Sequence, residues 1–302
     1  MKISAIPDFT KWKKKYQPLL EDRKLIISVS GGKDSTAMAL LLKEAEFPFT
    51  CVHLDTKWDH PQTERYLFEY LKEYIGPITK ITGKKGGMRD LIFEKKTFPS
   101  RVARFCTGEL KLQPMKEYLR SLDEDIVNAV GIRAQESRKR AQNPEWEYSR
   151  DFECDIWRPI LHFTEEDVIY MHKRHNVRPN PLYLLGNNRV GCWPCLFATK
   201  SAIRILALED PERVDDIRQL EYEINTLRQK EDPNAKMVSW FSKHGEFFPI
   251  DRAIEWAFVD RTGAELFSAS DREMGCMKWG LCEFQHPFDK QSKDLEKKKK
   301  QT

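Results

Sequence analysis

A short apolar run, Leu25-Ile26-Ile27-Ser28-Val29-Ser30, meets Gly31-Gly32-Lys33-Asp34-Ser35 and then TAMALLLKEAE, a stretch of helical character. A strand that turns on two glycines straight into a helix leaves backbone N–H groups free at the helix start, where the helix dipole also favours negative charge. Gly31 and Gly32 let the chain curl around an anion, Lys33 adds a mobile cation, and the hydroxyls of Ser30 and Ser35 add donors. A plain strand-to-helix turn is the competing reading, opposed by two Gly, one Lys and three Ser within eight residues. The junction is not a Walker A loop, because the four-residue spacer between an earlier Gly and the Gly-Lys pair is missing.

The alternation continues. FTCVHLDT (49–56) reads as a strand, and Tyr66, Leu67, Tyr70, Leu71 and Tyr74 then recur at helical spacing. A third strand is expected at PITKIT and a fourth at 126–132, after the helical KLQPMKEYLRSL. Strands alternating with helices predict an α/β fold with a doubly wound, mainly parallel sheet and the site at the carboxyl ends of its strands. After DIWRPIL the pattern changes: Thr164 can cap a helix with Asp167 reaching back, and a Pro/Asn-rich loop, a CxxC and long helices across about 200–230 follow. The expected division is a nucleotide-binding α/β domain at 1–160, an α-helical C-terminal region at 161–288 and a disordered basic tail at 289–302.

The 51 Lys and Arg oppose 47 Asp and Glu, so only the distribution of charge is informative. Between Lys84 and Arg140, fourteen basic residues outnumber eight acidic ones, which makes a nucleic acid a candidate acceptor or partner. No run approaches the roughly 18 apolar residues needed to cross a bilayer, and the first twenty residues lack a signal peptide, so no membrane partner and a cytoplasmic location are expected. Seven cysteines without a secretory context favour free thiols or metal ligands over disulfides.

Single residues carry competing readings. Asp55 ends the second strand, where it can meet a nucleoside or a magnesium ion, or merely cap the strand. Arg133 follows the fourth strand, where a guanidinium can clamp phosphate bidentately. Asp34 is a magnesium candidate, although a carboxylate at a helix start is favourable without a metal. Arg138, Lys139 and Arg140 form either part of the site or a solvated face. His172 and His175 are expected on an exposed helix face rather than on a metal, and the aromatic stretch from Trp240 to Phe258 in a core rather than under nucleobases.

Cys192-Trp193-Pro194-Cys195 can bind an iron–sulfur cluster or zinc, or form a redox pair, with Cys106, Cys276 and Cys282 as further ligands. A thioredoxin-like pair would sit early in a strand-to-helix unit, and this one does not. Cys51 and Cys154 read as core thiols without a partner pattern.

SGGKDS after a strand resembles the PP-loop of the N-type ATP pyrophosphatases. The segments His53-Leu54-Asp55-Thr56 with His60-Pro61-Gln62-Thr63, Arg104-Phe105-Cys106-Thr107 with Leu110-Lys111 and Pro114, and Gly131-Ile132-Arg133 with Glu136-Ser137 and Arg140 are similar, in order, to the phosphoadenosine phosphosulfate (PAPS) reductase family. The resemblance implies an adenine nucleotide α-hydrolase-like fold. It also implies a nucleotide site of Ser28, Ser30, Gly31, Gly32, Lys33, Asp34, Ser35, Asp55, Arg104, Gly131, Arg133 and Arg140, with Lys33, Asp34 and Arg133 in catalysis. The cysteine pattern looks like the iron–sulfur branch found in phages and in DNA phosphorothioation systems, which implies a 4Fe-4S cluster, ahead of zinc, on Cys106, Cys192, Cys195 and Cys282, with Cys276 as the substitute fourth ligand.

The resemblance further implies ATP or PAPS with Mg2+, attack at the α-phosphate with pyrophosphate release, sulfur transfer, and a sulfur or electron donor protein. True PAPS reductases end in Glu-Cys-Gly-x-His, whereas this chain has Gly280-Leu281-Cys282-Glu283-Phe284-Gln285-His286. That departure and the intact loop lysine favour ATP cleavage over sulfite production. A PAPS or adenosine phosphosulfate reductase, or a non-enzymatic nucleotide- or nucleic-acid-binding subunit, are the alternatives.

Overall fold

The structure is a computed structural model that describes residues 6–259 and 278–279. Its elements begin with α1 (Phe9–Leu20), β1 (Lys24–Ser28), α2 (Lys33–Glu44), β2 (Thr50–Asp55) and α3 (Pro61–Arg65), which runs through a π-helical stretch (Tyr66–Leu71) into α4 (Lys72–Ile75). Next come β3 (Ile78–Thr82), α5 (Met88–Lys95), α6 (Phe105–Thr107), α7 (Gln113–Arg120), β4 (Ile126–Ala129) and α8 (Arg138–Ala141). The remainder is β5 (Trp146–Ser149), β6 (Cys154–Trp157), α9 (Glu165–Arg174), α10 (Pro181–Leu184), α11 (Lys200–Glu209), α12 (Pro211–Glu231), β7 (Phe241–Lys243), β8 (Glu246–Phe248) and α13 (Ile250–Phe258).

Six strands form one sheet in the order β3-β2-β1-β4-β6-β5. All neighbours pair in parallel except β5, which runs antiparallel to β6 at the edge. From β1 the chain winds outward through β2 and β3, then returns to β4 on the other side of β1. That reversal opens a crevice beyond the carboxyl ends of β1 and β4, where ligands bind in sheets of this kind. The expected α/β fold with a doubly wound, mainly parallel sheet is the fold observed.

Alternation along β1 divides the core: Leu25 and Ile27 join one apolar cluster, with α1, α2 and α9, and Ile26 joins another on the opposite face, with Met115 and Leu119 of α7. Truncating a fully buried side chain such as Leu41 of α2 to alanine would cost about 2–5 kcal/mol. A third cluster joins α5, α11, α12 and α13 around Trp58, Trp193 and Trp240. Trp240, Phe241 and Phe248 are buried there, as core packing predicts.

Several elements depart from expectation. The fourth strand stops at Ala129 instead of reaching Ile132, because the chain must leave the sheet for Gly131 to pass the start of α2, where a Cβ would lie 2.8 Å from Ser35 Cα. Helix α1 and the strands β5 and β6 are additions. Among the described residues, the regular structure of the C-terminal region is helical apart from a small hairpin, β7–β8. The expected tail and the residues Cys276 and Cys282 lie outside the described residues. Among those described, no helix is long and apolar enough to cross a membrane.

Candidate nucleotide and thiol site

Gly31 turns the chain with φ +70°, and a Cβ there would meet Thr63 Cγ2 at 2.9 Å, so both conformation and space require glycine. Gly32 is the extended N-cap of α2 and offers no capping side chain. Lys33 is buried in the first turn of α2. Ser35 Oγ accepts from Ser30 N–H at 3.2 Å and donates to Gly32 O at 3.1 Å, which closes the loop on itself.

Partners from distant sequence surround Lys33. Its backbone N–H donates to the Tyr183 hydroxyl at 2.9 Å, and its carbonyl accepts from His172 Nε2 at 3.0 Å. Its ammonium lies 3.4 Å from Glu165 Oε1, 3.5 Å from Asp34 Oδ2 and 5.3 Å from the centre of the Tyr183 ring. Burial pushes the His172 imidazole down to about 4 and holds it neutral. The expectation of an exposed histidine face is therefore corrected. His172 is buried on the loop, and His175 pairs with Glu44 at 2.8 Å, since the α9 face that bears them packs on α2.

Arg133 is buried and donates through Nε to Asp34 Oδ1 and through Nη1 to Gln135. Lys33, Asp34, Ser35, Gly131 and Arg133 thus meet at the carboxyl ends of β1 and β4. Ser30, Gly31 and Gly32 form the loop beside them, and Arg140 reaches the cluster through Glu136, which also accepts from the Arg133 N–H at 2.9 Å. Three expected residues stand apart, the first of them Ser28, whose Oγ faces Met115 Sδ. Asp55 accepts from Lys57 N–H at 2.7 Å and faces Lys80 at 3.3 Å, which spends its carboxylate on anchoring the strand end. Arg104 stacks on Phe197 at 5.1 Å.

Three cysteines line one wall. Asp59 bridges to Cys192, and Cys192 Sγ lies 3.8 Å from Thr56 Oγ1, which brings the CxxC loop to the end of β2. Cys192, then Asp59, Cys195 and Cys106 raise the pKa of the Lys111 ammonium against the effect of burial, so all four lie within electrostatic reach of that cation. Burial raises the Cys192 thiol, while the Lys111 charge opposes the rise. Cys195 is the exposed member of the five described cysteines. Among the described residues, no group of three or more His, Cys, Asp or Glu side chains is placed to hold a metal ion. Soft sulfur donors around one cation suit a thiolate-loving centre, and closing such a set requires a further ligand. Cys51 and Cys154 are core thiols as expected, pushed by burial up to about 12 and about 11.

Much of the basic excess between Lys84 and Arg140 is paired with carboxylates. Arg89 pairs with Asp216 and Glu223, Lys95 with Glu109, and Lys96 with Glu231. Arg101 and Arg104 have no carboxylate partner among the described residues and lie over Phe197. A cavity of about 380 Å3 lined by Arg120, Asp125, Ile126 and Cys154 opens at the amino ends of the strands and holds none of these groups. The contacts of Tyr183, Glu165 and His172 with Lys33 carry no sequence signal, because the three act on it from more than 130 positions away.

Residues 24–198, more than half of the chain, match the model of the phosphoadenosine phosphosulfate reductase domain. A 37.8 kDa protein of the gpa 5′ region of Escherichia phage 186 is 31% identical over 85% of this chain and 96% of its own. The adenosine 5′-phosphosulfate reductase of Allochromatium vinosum is 24% identical over 57% of this chain and 67% of its own. The crystal structure of the PAPS reductase from Candida auris, a phosphate complex, shares the fold with a TM-score of 0.50 at 14% identity, covering 64% of this chain and 90% of that one. With its switch point furnished by a glycine-lysine loop and with more than half of its length matched, the chain belongs to the phosphoadenosine phosphosulfate reductase family.

Proposed function

We propose that the chain is a nucleotide-dependent sulfur-transfer enzyme that uses ATP. An acceptor oxygen attacks the α-phosphorus, pyrophosphate leaves, and a hydrosulfide sulfur then displaces AMP. The observation that carries this reading is a buried lysine on the first turn of α2, two residues after a left-handed glycine and across from the buried Arg133. Free N–H groups and two cations at the end of a parallel strand are suited to the charge that develops on a departing pyrophosphate.

Asp34 is the residue that would share Mg2+ with the phosphates, and the ion would supply further charge neutralisation. Lys33 and Arg133 already face Asp34 and Glu165, so an added divalent cation suits a polyphosphate here. Cys106, Cys192 and Cys195 would hold a 4Fe-4S cluster with one further ligand, Cys282 or Cys276. When bound, that cluster supplies a sulfur-binding, redox-active surface. Arg101 and Arg104 on Phe197 support a nucleic acid as the acceptor, since their guanidinium groups are not used in ion pairs among the described residues.

A second reading, reductive cleavage of a sulfonucleotide, is favoured by the adenosine 5′-phosphosulfate reductases among the relatives. Incubating the purified chain with ATP and separately with PAPS decides between them. Pyrophosphate is expected with ATP, whereas sulfite released from PAPS with a dithiol present would overturn the ATP reading.

A further inference from the structure

Lys33 has three polar handles, and each is held by a residue from the second half of the chain. Tyr183 takes the N–H, His172 the carbonyl and Glu165 the ammonium. One dipeptide touches all three holders. Lys278 Nζ lies 2.7 Å from Glu165 Oε2, and the Trp279 ring meets His172 at 5.1 Å and Tyr183 at 5.7 Å between centroids. Trp279 is only 3% exposed, so it seats Lys278 firmly. Burial alone would raise the Glu165 carboxyl, but the hydrogen bond from Lys278 and the charge of Lys33 bring it below the usual range. The group is therefore an anion at neutral pH, shared between two ammonium groups.

A carboxylate oxygen 3.4 Å from the loop lysine belongs, with Asp34 Oδ2 at 3.5 Å, to the shell of that ammonium. We propose that Glu165 competes with nucleotide phosphates for Lys33, and that Lys278 is the cation that keeps Glu165 paired when the phosphates win. This rests on the reading of Ser30–Ser35 as a nucleotide phosphate loop. Without Lys278, a phosphate binding at Lys33 would leave Glu165 half-buried, uncompensated and close to like charge. The device therefore discriminates by phosphate charge. A triphosphate displaces the carboxylate readily, and a monophosphate gains little from its removal.

Titration calorimetry of the full chain with Mg·ATP and with AMP tests this. Glu165→Gln is expected to tighten ATP binding about tenfold while AMP changes less than about twofold. Lys278→Ala should weaken ATP binding about fivefold, Lys278→Arg should restore it, and Glu165→Gln/Lys278→Ala should match Glu165→Gln alone. Unchanged ATP affinity in Glu165→Gln overturns the competition. An unaffected Lys278→Ala, or an equal loss in the Glu165→Gln background, overturns the role of Lys278. A wild-type chain that binds neither ATP nor PAPS sinks the nucleotide reading together with this one, whereas wild-type binding with a flat Glu165→Gln response sinks the competition alone.

Discussion

Lys33 and Lys111 are two lysines near the carboxyl edge of the sheet, and their surroundings are opposite in kind. Around Lys33 each charge has a near opposite: Glu165 and Asp34 flank its ammonium, Arg133 holds Asp34 and Lys278 holds Glu165. Around Lys111 stand Asp59 and three thiols, with no closed donor set among the described residues. The first arrangement is a set of cations already paired with carboxylates, of which Glu165 is the one that the proposed competition has phosphate displace. The second is an unfinished soft-donor set. On the proposed reading, the comparison places nucleotide binding and sulfur chemistry on separate groups of residues near one edge of the sheet.

Removing the loop cation should break the first region alone. Lys33→Ala is expected to slow pyrophosphate release from ATP by about 10²–10³, the range for deleting one preorganised group that stabilises transition-state charge. Iron content measured on the same sample should stay at the wild-type level. Loss of iron together with activity would show that the two regions are one. The converse substitution, Cys192→Ala, should lose most of the bound iron or zinc and its absorption, while calorimetry finds ATP affinity within about twofold of wild type, as expected for separate sites.

Gly131→Ala sharpens the boundary between the regions. Its Cβ would press to 2.8 Å from Ser35 Cα and 3.1 Å from Ser35 N, atoms of a helix start that cannot turn aside like a side chain. A loss of about 3 kcal/mol in unfolding free energy is expected, with weaker ATP binding and unchanged metal content. An undisturbed thermal midpoint would mean that the passage between β4 and α2 is looser than these distances state.

How much of this was legible follows from how each part is built. The phosphate loop is contiguous, so glycines, lysine and serines between Ser28 and Ser35 announce it within eight residues. Tyr183, His172 and Glu165 act on it only because α9 packs on α2, and no local pattern marks them. Strands β5 and β6 are four residues each, too short for a clear period, and β5 lies at the edge with a half-exposed pattern. The basic excess suggested a surface for polyanions, but Asp216, Glu223 and Glu231 of α12 neutralise much of it from more than 120 positions away. Charge read along a chain says little about charge on a surface when the compensating residues arrive through tertiary packing.

The helix beneath the thiol loop provides a last and smaller test. Trp193 of the CxxC donates to Asp210, the N-cap of α12, so the wall rests on that helix. Glu221 of α12 accepts from Trp240 N–H at 2.8 Å and from Ile250 N–H at 3.1 Å, and so fastens the hairpin and α13 to it. Unlike Glu165, it has no cation in contact among the described residues. Burial pushes its carboxyl up to about 7, with Asp251 adding to the rise and Arg218 opposing it. A folded-state value above the unfolded one means that the folded form holds the proton more tightly. Its contribution to stability is thus complete below about pH 4.5 and is lost as pH rises to about 7. Urea unfolding should show a decline of about 2 kcal/mol from this group across that window. In Glu221→Gln that component of the slope should vanish, and because an amide offers one acceptor to two N–H donors, the variant should start about 1 kcal/mol lower at pH 5. The two curves should therefore cross near neutrality, and parallel curves would show that Glu221 is ionised throughout, with a compensating cation as effective as the pair that flanks Glu165.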